Sequence, residues 1–201
     1  MKLETKHKAL LIIAAVLLID QASKLWVRTH ISPHAPWIIA PWFELHMAEN
    51  PGMAFSMELP GQYGKLLLSW FRVFAIGGIG YMLMQIIKEK RPAGLIYAGA
   101  LIFAGAVGNL IDSVFYGVLF HYAPLMQGYV VDMLHFGLIQ GYFPNWMPIW
   151  GGEDFEFFRP VFNIADAAIT SGIFLIIIFQ KRFFPEETGE VPAEETPAIT
   201  D

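Results

Sequence analysis

Four long apolar stretches alternate with polar or aromatic segments along this chain, at roughly 8–28, 65–87, 94–115 and 161–180. At 1.5 Å of rise per residue, each is about long enough as a helix to cross ~30 Å of hydrocarbon. Between the first two the period shortens. Trp37-Ile38-Ile39-Ala40-Pro41-Trp42-Phe43-Glu44-Leu45-His46-Met47 is aromatic and partly alternating, the pattern of one or two short strands. Asn50-Pro51-Gly52 then marks a turn. The segment between the last two stretches is rich in rings, among them Tyr122, Tyr129, Phe136, Tyr142, Trp146 and Trp150. Amphipathic rings favour the headgroup level, which predicts a periplasmic aromatic loop or helix lying on the outer leaflet. The third stretch carries Ala100, Ala104, Gly108 and Asp112 at every fourth position, with Gly105 and Asn109 beside them. Small residues at that spacing let helices approach closely in lipid and turn the polar pair into the bundle.

Composition decides the solvent. Of 201 residues, 55% are hydrophobic and 15% charged, with a mean hydropathy of +0.47. A soluble domain is nearer a quarter charged, and so much apolar side chain exceeds what one core of this size holds. The reading is a mainly α membrane protein with four transmembrane helices and a small extracytoplasmic β-sheet. Lys2, Lys6 and Lys8, then Lys88, Lys90 and Arg91, then Lys181 and Arg182 all fall on one side of a four-span chain. That side is predicted to be cytoplasmic, with both termini there and loops 29–64 and 116–160 facing outward. Residues 1–184 form one membrane domain and 185–201 a disordered acidic cytoplasmic tail. The lysines ahead of the run at 9–19 resemble a secretory signal, but no small-x-small site follows. An uncleaved first span is the reading, with a removed signal peptide as its alternative. A net charge of −5 argues against a nucleic-acid partner. The absence of cysteine excludes disulfides, thiolate catalysis and Cys-ligated metals.

The candidate chemistry lies in carboxylates set at the edges of apolar segments. Asp132 sits in Tyr129-Val130-Val131-Asp132-Met133 and Asp166 in Phe162-Asn163-Ile164-Ala165-Asp166. An ionised acid beside hydrocarbon is costly and normally faces a bundle interior, a wet cavity or a partner. Two such acids are the minimum equipment for hydrolysis by acid–base catalysis without a metal. Asn109 with Asp112, and Asn163 with Asp166, share the spacing Asn-x-x-Asp, which puts an amide and a carboxyl on one helix face. Such pairs also serve as polar glue between helices. Asp20 and Lys24 stand four apart, either as a structural ion pair or as organisers of a polar site or lipid headgroup. His135 follows Asp132, but the histidines are scattered and no His-Glu-x-x-His occurs, so no metal and no cofactor is expected. Ser69, Ser113 and Ser171 lack the Gly-x-Ser-x-Gly context of a nucleophile. Arg72 and Arg159 read as snorkelling anchors.

Five motifs in one order carry a resemblance. Asp20-Gln21-Ala22-Ser23-Lys24, Asn50-Pro51-Gly52-Met53-Ala54-Phe55, Gly108-Asn109-Leu110-Ile111-Asp112, Val131-Asp132-Met133 and Phe162-Asn163-Ile164-Ala165-Asp166 together resemble the lipoprotein signal peptidase (signal peptidase II) family. The resemblance covers about 8–182. It implies an aspartyl endopeptidase of the bacterial inner membrane that removes the signal peptide from diacylglyceryl-modified prolipoproteins, just before the lipobox cysteine. It implies Asp132 and Asp166 as the catalytic pair. Asp20, Lys24, Asn50, Gly52, Asn109, Asp112 and Asn163 then shape or support the site, and the cyclic peptide antibiotic globomycin is an expected inhibitor. One complete site per chain makes a monomer sufficient. Two departures stand out. Ser113 follows Asp112 where many members have Arg, so that contact is lost or supplied elsewhere. Gly151-Gly152-Glu153-Asp154 also lengthens the loop between the two acids. The competing reading is a small proton-coupled transporter using the same carboxylates. It requires a polar track across the membrane, whereas 9–19, 82–87, 96–100 and 173–179 hold only Gln85 and Tyr97 as polar groups.

Overall fold

The computed structural model describes residues 3–51, 63–157 and 160–185. Three of its helices are long and apolar enough to cross a membrane: α1 (Thr5–His30), α2 (Gly64–Lys88) and a third, Ala93–Leu119. The third comprises α3 (Ala93–Ile111), a π-helical turn at Asp112–Tyr116 and a last short turn, α4 (Gly117–Leu119). The fourth, α5 (Ile164–Ile178), is an apolar helix of 15 residues, about 22 Å long. It breaks at Phe179 and resumes as a single turn, α6 (Gln180–Phe183). It is shorter than the span expected over 161–180 because Phe162 and Asn163 are extended. Phe162 pairs with Leu134 in a β-bridge, and Asn163 caps the helix. The outward faces carry Leu18, Phe71, Phe74, Met82, Phe174 and Ile178, all exposed. A continuous apolar surface of this extent suits hydrocarbon and not water.

α3 lies at the centre of the bundle. Ala98, Ala100 and Ala104 are fully buried, as the small-residue spacing predicts. A Cβ on Gly105 would sit 2.2 Å from the Ala165 carbonyl oxygen, and one on Gly172 would sit 2.7 Å from that of Ala98. The backbones of α3 and α5 are therefore in contact. Gly108 opens the other side: a Cβ there would lie 2.7 Å from a carboxylate oxygen of Asp20 on α1. After the π turn the chain folds back on itself. Gly128 N–H donates to the Ser113 carbonyl at 2.9 Å, and a side chain at 128 would strike the carbonyl of Asp112.

A three-stranded antiparallel sheet covers one end of the bundle in the order β1 (Trp37–Ala40), β2 (Phe43–Asn50), β3 (Val130–His135). The first two strands fall where alternation predicts them. The third comes from the aromatic segment and pairs with β2 across some eighty residues of chain, with Ala48 opposite Asp132. Val27, Ile31, Met47, Tyr116, Val131 and Met133 form the apolar core beneath it. The rest of the aromatic segment, expected as a loop or helix, is a hairpin of β4 (Ile139–Tyr142) and β5 (Asp154–Phe157). Its connection exposes Trp146, Ile149 and Trp150. The inserted Gly152 takes a φ of +81° there, a left-handed conformation natural to glycine. Phe136 stacks on Phe43 of β2 at 4.8 Å and on Phe162 at 5.7 Å, tying the sheet to the start of α5.

Candidate active site

Asp132 and Asp166 lie 34 positions apart in sequence and meet through one residue, Asn163. A short backbone ladder brings them together. Met133 and Leu134 N–H groups donate to the Phe162 carbonyl at 3.0 and 2.7 Å, and Phe162 N–H returns to Leu134 at 3.0 Å. This fastens the chain entering α5 to the strand that bears Asp132. The next residue, Asn163, is the N-cap of α5. Its side-chain oxygen accepts from Asp166 N–H at 2.9 Å, and Asp166 Oδ2 accepts from Asn163 N–H at 3.3 Å. This is a capping box in which Asp166 takes the third helical position. The Asn163 amide also donates to Asp132 Oδ1 at 2.7 Å and to Asn109 Oδ1 at 3.1 Å. Asn109 in turn donates to Asp166 Oδ1 at 2.8 Å. Asn50, at the end of β2, donates to Asp132 Oδ2 at 3.0 Å. Three amides thus hold two carboxyls beside each other. Asp132 is only 4% exposed. Burial is the main reason its carboxyl is pushed up to about 6; the Asn50 hydrogen bond opposes this, and the negative charge of Asp166 adds to it.

A second cluster lies beneath the first. Lys24 Nζ is 2.9 Å from Asp20 Oδ2 and 2.8 Å from Asp112 Oδ2, with all three side chains fully buried. It also donates to Asn109 Oδ1 at 2.9 Å. Gln21 donates to Asp20 and Asp112 at 3.0 and 2.9 Å. Backbone donors complete the set: Ala165 N–H meets Asp20 Oδ1 at 2.9 Å, and Val131 N–H shares Asp112 Oδ2 with Lys24 at 3.3 Å. One carboxylate therefore grips the first turn of α5 and the other grips β3. These are the two segments that carry Asp166 and Asp132. Both readings of the Asp20–Lys24 spacing are present in one object: an ion pair that also organises the site.

Eight of the nine residues singled out in the sequence converge here: Asp20, Lys24, Asn50, Asn109, Asp112, Asp132, Asn163 and Asp166. Gly52, with the motif Met53-Ala54-Phe55 after it, lies outside the described residues, as does Arg159. His135 does not join. Three positions beyond Asp132 on a strand, it belongs to the opposite face and lies with Glu44 and His46. Ser69 and Ser113 spend their hydroxyls on backbone carbonyls, of Met126 at 2.6 Å and Asn109 at 3.0 Å. Arg72, expected as a snorkelling anchor, instead turns inward and donates to Ser113 Oγ at 2.5 Å. Sequence reasoning missed the part played by Gln21 and Arg72. The signal for Arg72 was the spacing Lys65, Ser69, Arg72, which sets three polar side chains on one face of an apolar helix.

Amide-held paired acids, where a lipid-facing bundle meets a small sheet, define a class: a membrane enzyme laid out as an aspartic peptidase. Comparison with known proteins narrows this. The family model for signal peptidase (SPase) II matches residues 12–182. A lipoprotein signal peptidase of Porphyromonas gingivalis is 42% identical over 187 residues, covering 85% of this chain and 81% of that protein. One from Amoebophilus asiaticus is 34% identical over 195 residues, covering 92% and 81%. A bacterial membrane enzyme solved in meso at 1.9 Å superposes with a TM-score of 0.62 at 27% identity, covering 87% of this chain and 92% of its own. Another, solved at 2.3 Å, shares the fold with a TM-score of 0.63 at 23% identity, covering 96% and 95%. The chain belongs to the signal peptidase II family of aspartic peptidases. Nothing in these comparisons supports the transporter reading.

Proposed function

We propose that this protein removes signal peptides from diacylglyceryl-modified prolipoproteins, cutting just before the lipidated cysteine, with Asp132 and Asp166 as the catalytic pair. The observation that carries the assignment of the pair is Asn163, which hydrogen-bonds both carboxyls at once. Carboxyls this close do not both ionise cheaply, so they share a proton. The ionised member takes a proton from water as the water attacks the scissile carbonyl. The protonated member donates to the carbonyl oxygen; on collapse the first member passes its newly gained proton to the nitrogen as the C–N bond breaks, and the second takes back a proton from the tetrahedral hydroxyl. The apparent constants belong to the pair. Asn50, Asn109 and Asn163 orient the two acids; Asp20, Lys24 and Asp112 fix the segments that bear them; Gly52 joins the supporting set through the family motif alone.

The placement in the membrane follows from charge. The basic groups around α1, between α2 and α3, and after α5 face the cytoplasm, so the sheet and the paired acids face the periplasmic side of the inner membrane. The substrate's acyl chains then lie in the outer leaflet, beside the lipid and the exposed tryptophans of the β4–β5 connection. A single chain holds the whole site and acts as a monomer, and globomycin is proposed to bind across the pair.

The test uses the purified full chain in lipid nanodiscs with a diacylated prolipoprotein. Cleavage is expected on the N-terminal side of the lipidated cysteine, blocked by globomycin and absent in Asp132→Asn. Near-normal cleavage by Asp132→Asn would show that the pair is misassigned.

A further inference from the structure

The acids of the site outnumber the ammonium that is buried with them. Asp20, Asp112, Asp132 and Asp166 converge on one end of the bundle, and Lys24 is taken by the first two. Lys65 points elsewhere, donating to the Pro51 carbonyl at 2.6 Å with its ammonium 5.7 Å from the Tyr129 ring centre. Among the described residues, the remaining cation facing the acids is Arg72. It lies on α2, a helix whose only buried residues are Gly64, Ser69 and Leu83, so most of its surface meets lipid. At the sheet end one face of α2 is polar: Lys65, Ser69 and Arg72 reach the Pro51 carbonyl, the Met126 carbonyl and Ser113 Oγ. The last of these partners belongs to the π turn, one residue beyond Asp112, and its hydroxyl is bonded in turn to the carbonyl of Asn109. The guanidinium stands within electrostatic reach of Asp166, Asp112 and Asp132. A π turn in a helix is a local departure that needs outside support, and a planar, permanently charged fork gives both bonding and charge.

We infer that Arg72 is a positioning residue for the catalytic pair: through Ser113 it holds the π turn in place, and its charge offsets the negative charge of the acids. The inference rests on the functional reading above. It explains how a chain with Ser113 after Asp112 still has a guanidinium on that turn, delivered from a different helix. A headgroup anchor would have turned its charge outward, away from the acids.

The role predicts a direction in pH. The acid limb of the cleavage profile marks where both carboxyls of the pair become protonated. A nearby cation favours the ionised form, so removing it moves that limb to higher pH, by about one unit or more. Among the described residues, the charged groups around the pair that set this balance are Asp20 and Lys24 on α1, Arg72 on α2 and Asp112 on the π turn, with Lys65 acting at one remove, on Arg72 and Asp112. The experiment compares the wild-type chain, Arg72→Gln, and Arg72→Gln combined with Ser113→Arg, in nanodiscs with a diacylated prolipoprotein. Arg72→Gln is expected to lower kcat by about tenfold or more, with KM little changed, and to move the acid limb upward. Ser113→Arg in the same chain is expected to restore both, because it returns a guanidinium to the same turn. An acid limb that does not move in Arg72→Gln overturns the inference. If Arg72→Gln does not fold, a double variant that is also unfolded or inactive overturns it as well. Failure of the wild-type chain to cleave would instead overturn the functional reading.

Discussion

Two acidic clusters lie within a few ångströms of the same helix start, and they are built differently. Asp20 and Asp112 share an ammonium at 2.9 and 2.8 Å and are fully buried. Asp132 and Asp166 are held by neutral amides from Asn50, Asn109 and Asn163. A buried carboxylate salt-bridged to an ammonium and bonded to a backbone N–H has one stable state. A carboxyl held by amides keeps its place while its proton comes and goes. The first cluster is a fixture and the second the proposed reagent. Asn109, which accepts from Lys24 and donates to Asp166, touches both.

The sharpest break in this contrast is to disable the reagent alone. Asp132→Asn or Asp166→Asn is expected to reduce cleavage by about 10³-fold or more with melting temperature nearly unchanged, read by prolipoprotein processing and thermal unfolding of the same samples. Disabling the fixture has the opposite signature. Lys24→Met leaves two carboxylates buried without their cation, a loss of about 3–5 kcal/mol, so activity and folded yield fall together. A Lys24→Met protein that melts like the wild type would erase the distinction. Next in size is a change confined to one titration. Asp166→Asn removes the negative charge that helps raise Asp132, so the Asp132 carboxyl should titrate below its value of about 6. Burial remains the larger cause, so it should stay above the ordinary 3.8. Infrared absorption of the protonated carboxyl as a function of pH reads this directly. The smallest effect is expected away from both clusters. Arg28 reaches Glu49 at 2.6 Å and lies 4.2 Å over the Phe120 ring at the partly exposed end of α1. Arg28→Ala should cost about 1 kcal/mol and leave cleavage within about twofold.

The long helices and the pairing of amide with acid were legible because they rest on local spacing. Apolar runs announce α1 to α3, and Asn-x-x-Asp announces a shared helix face at Asn109; at Asn163 the same spacing makes a capping box, with the Asn extended just ahead of the helix. Strand β3 was not legible. Val130–His135 becomes a strand only by meeting β2 and Phe162, partners distant in sequence, and a run of six apolar and polar residues does not declare its neighbours. The π turn has no spacing of its own either. It is set by what folds over it, Gly128 on one side and Arg72 on the other. Arg72 was read as an anchor because its position near a helix end suits one; only the inward turn of its side chain, a tertiary fact, says otherwise. The hairpin after β3 was obscured by ring content, which speaks to interfacial preference before backbone geometry.

Asp166 closes the capping box of α5 with the same carboxyl that is proposed to handle the proton. Any sideways reach toward a substrate must therefore loosen the first turn of the helix, so turnover and fraying share one coordinate. An inhibitor that captures this carboxyl from outside would compete with the Asn163 N–H and unlatch the turn. One that leaves the latch closed would slow amide exchange through residues 164–167, so hydrogen exchange would distinguish the two kinds of antibiotic before any complex is solved.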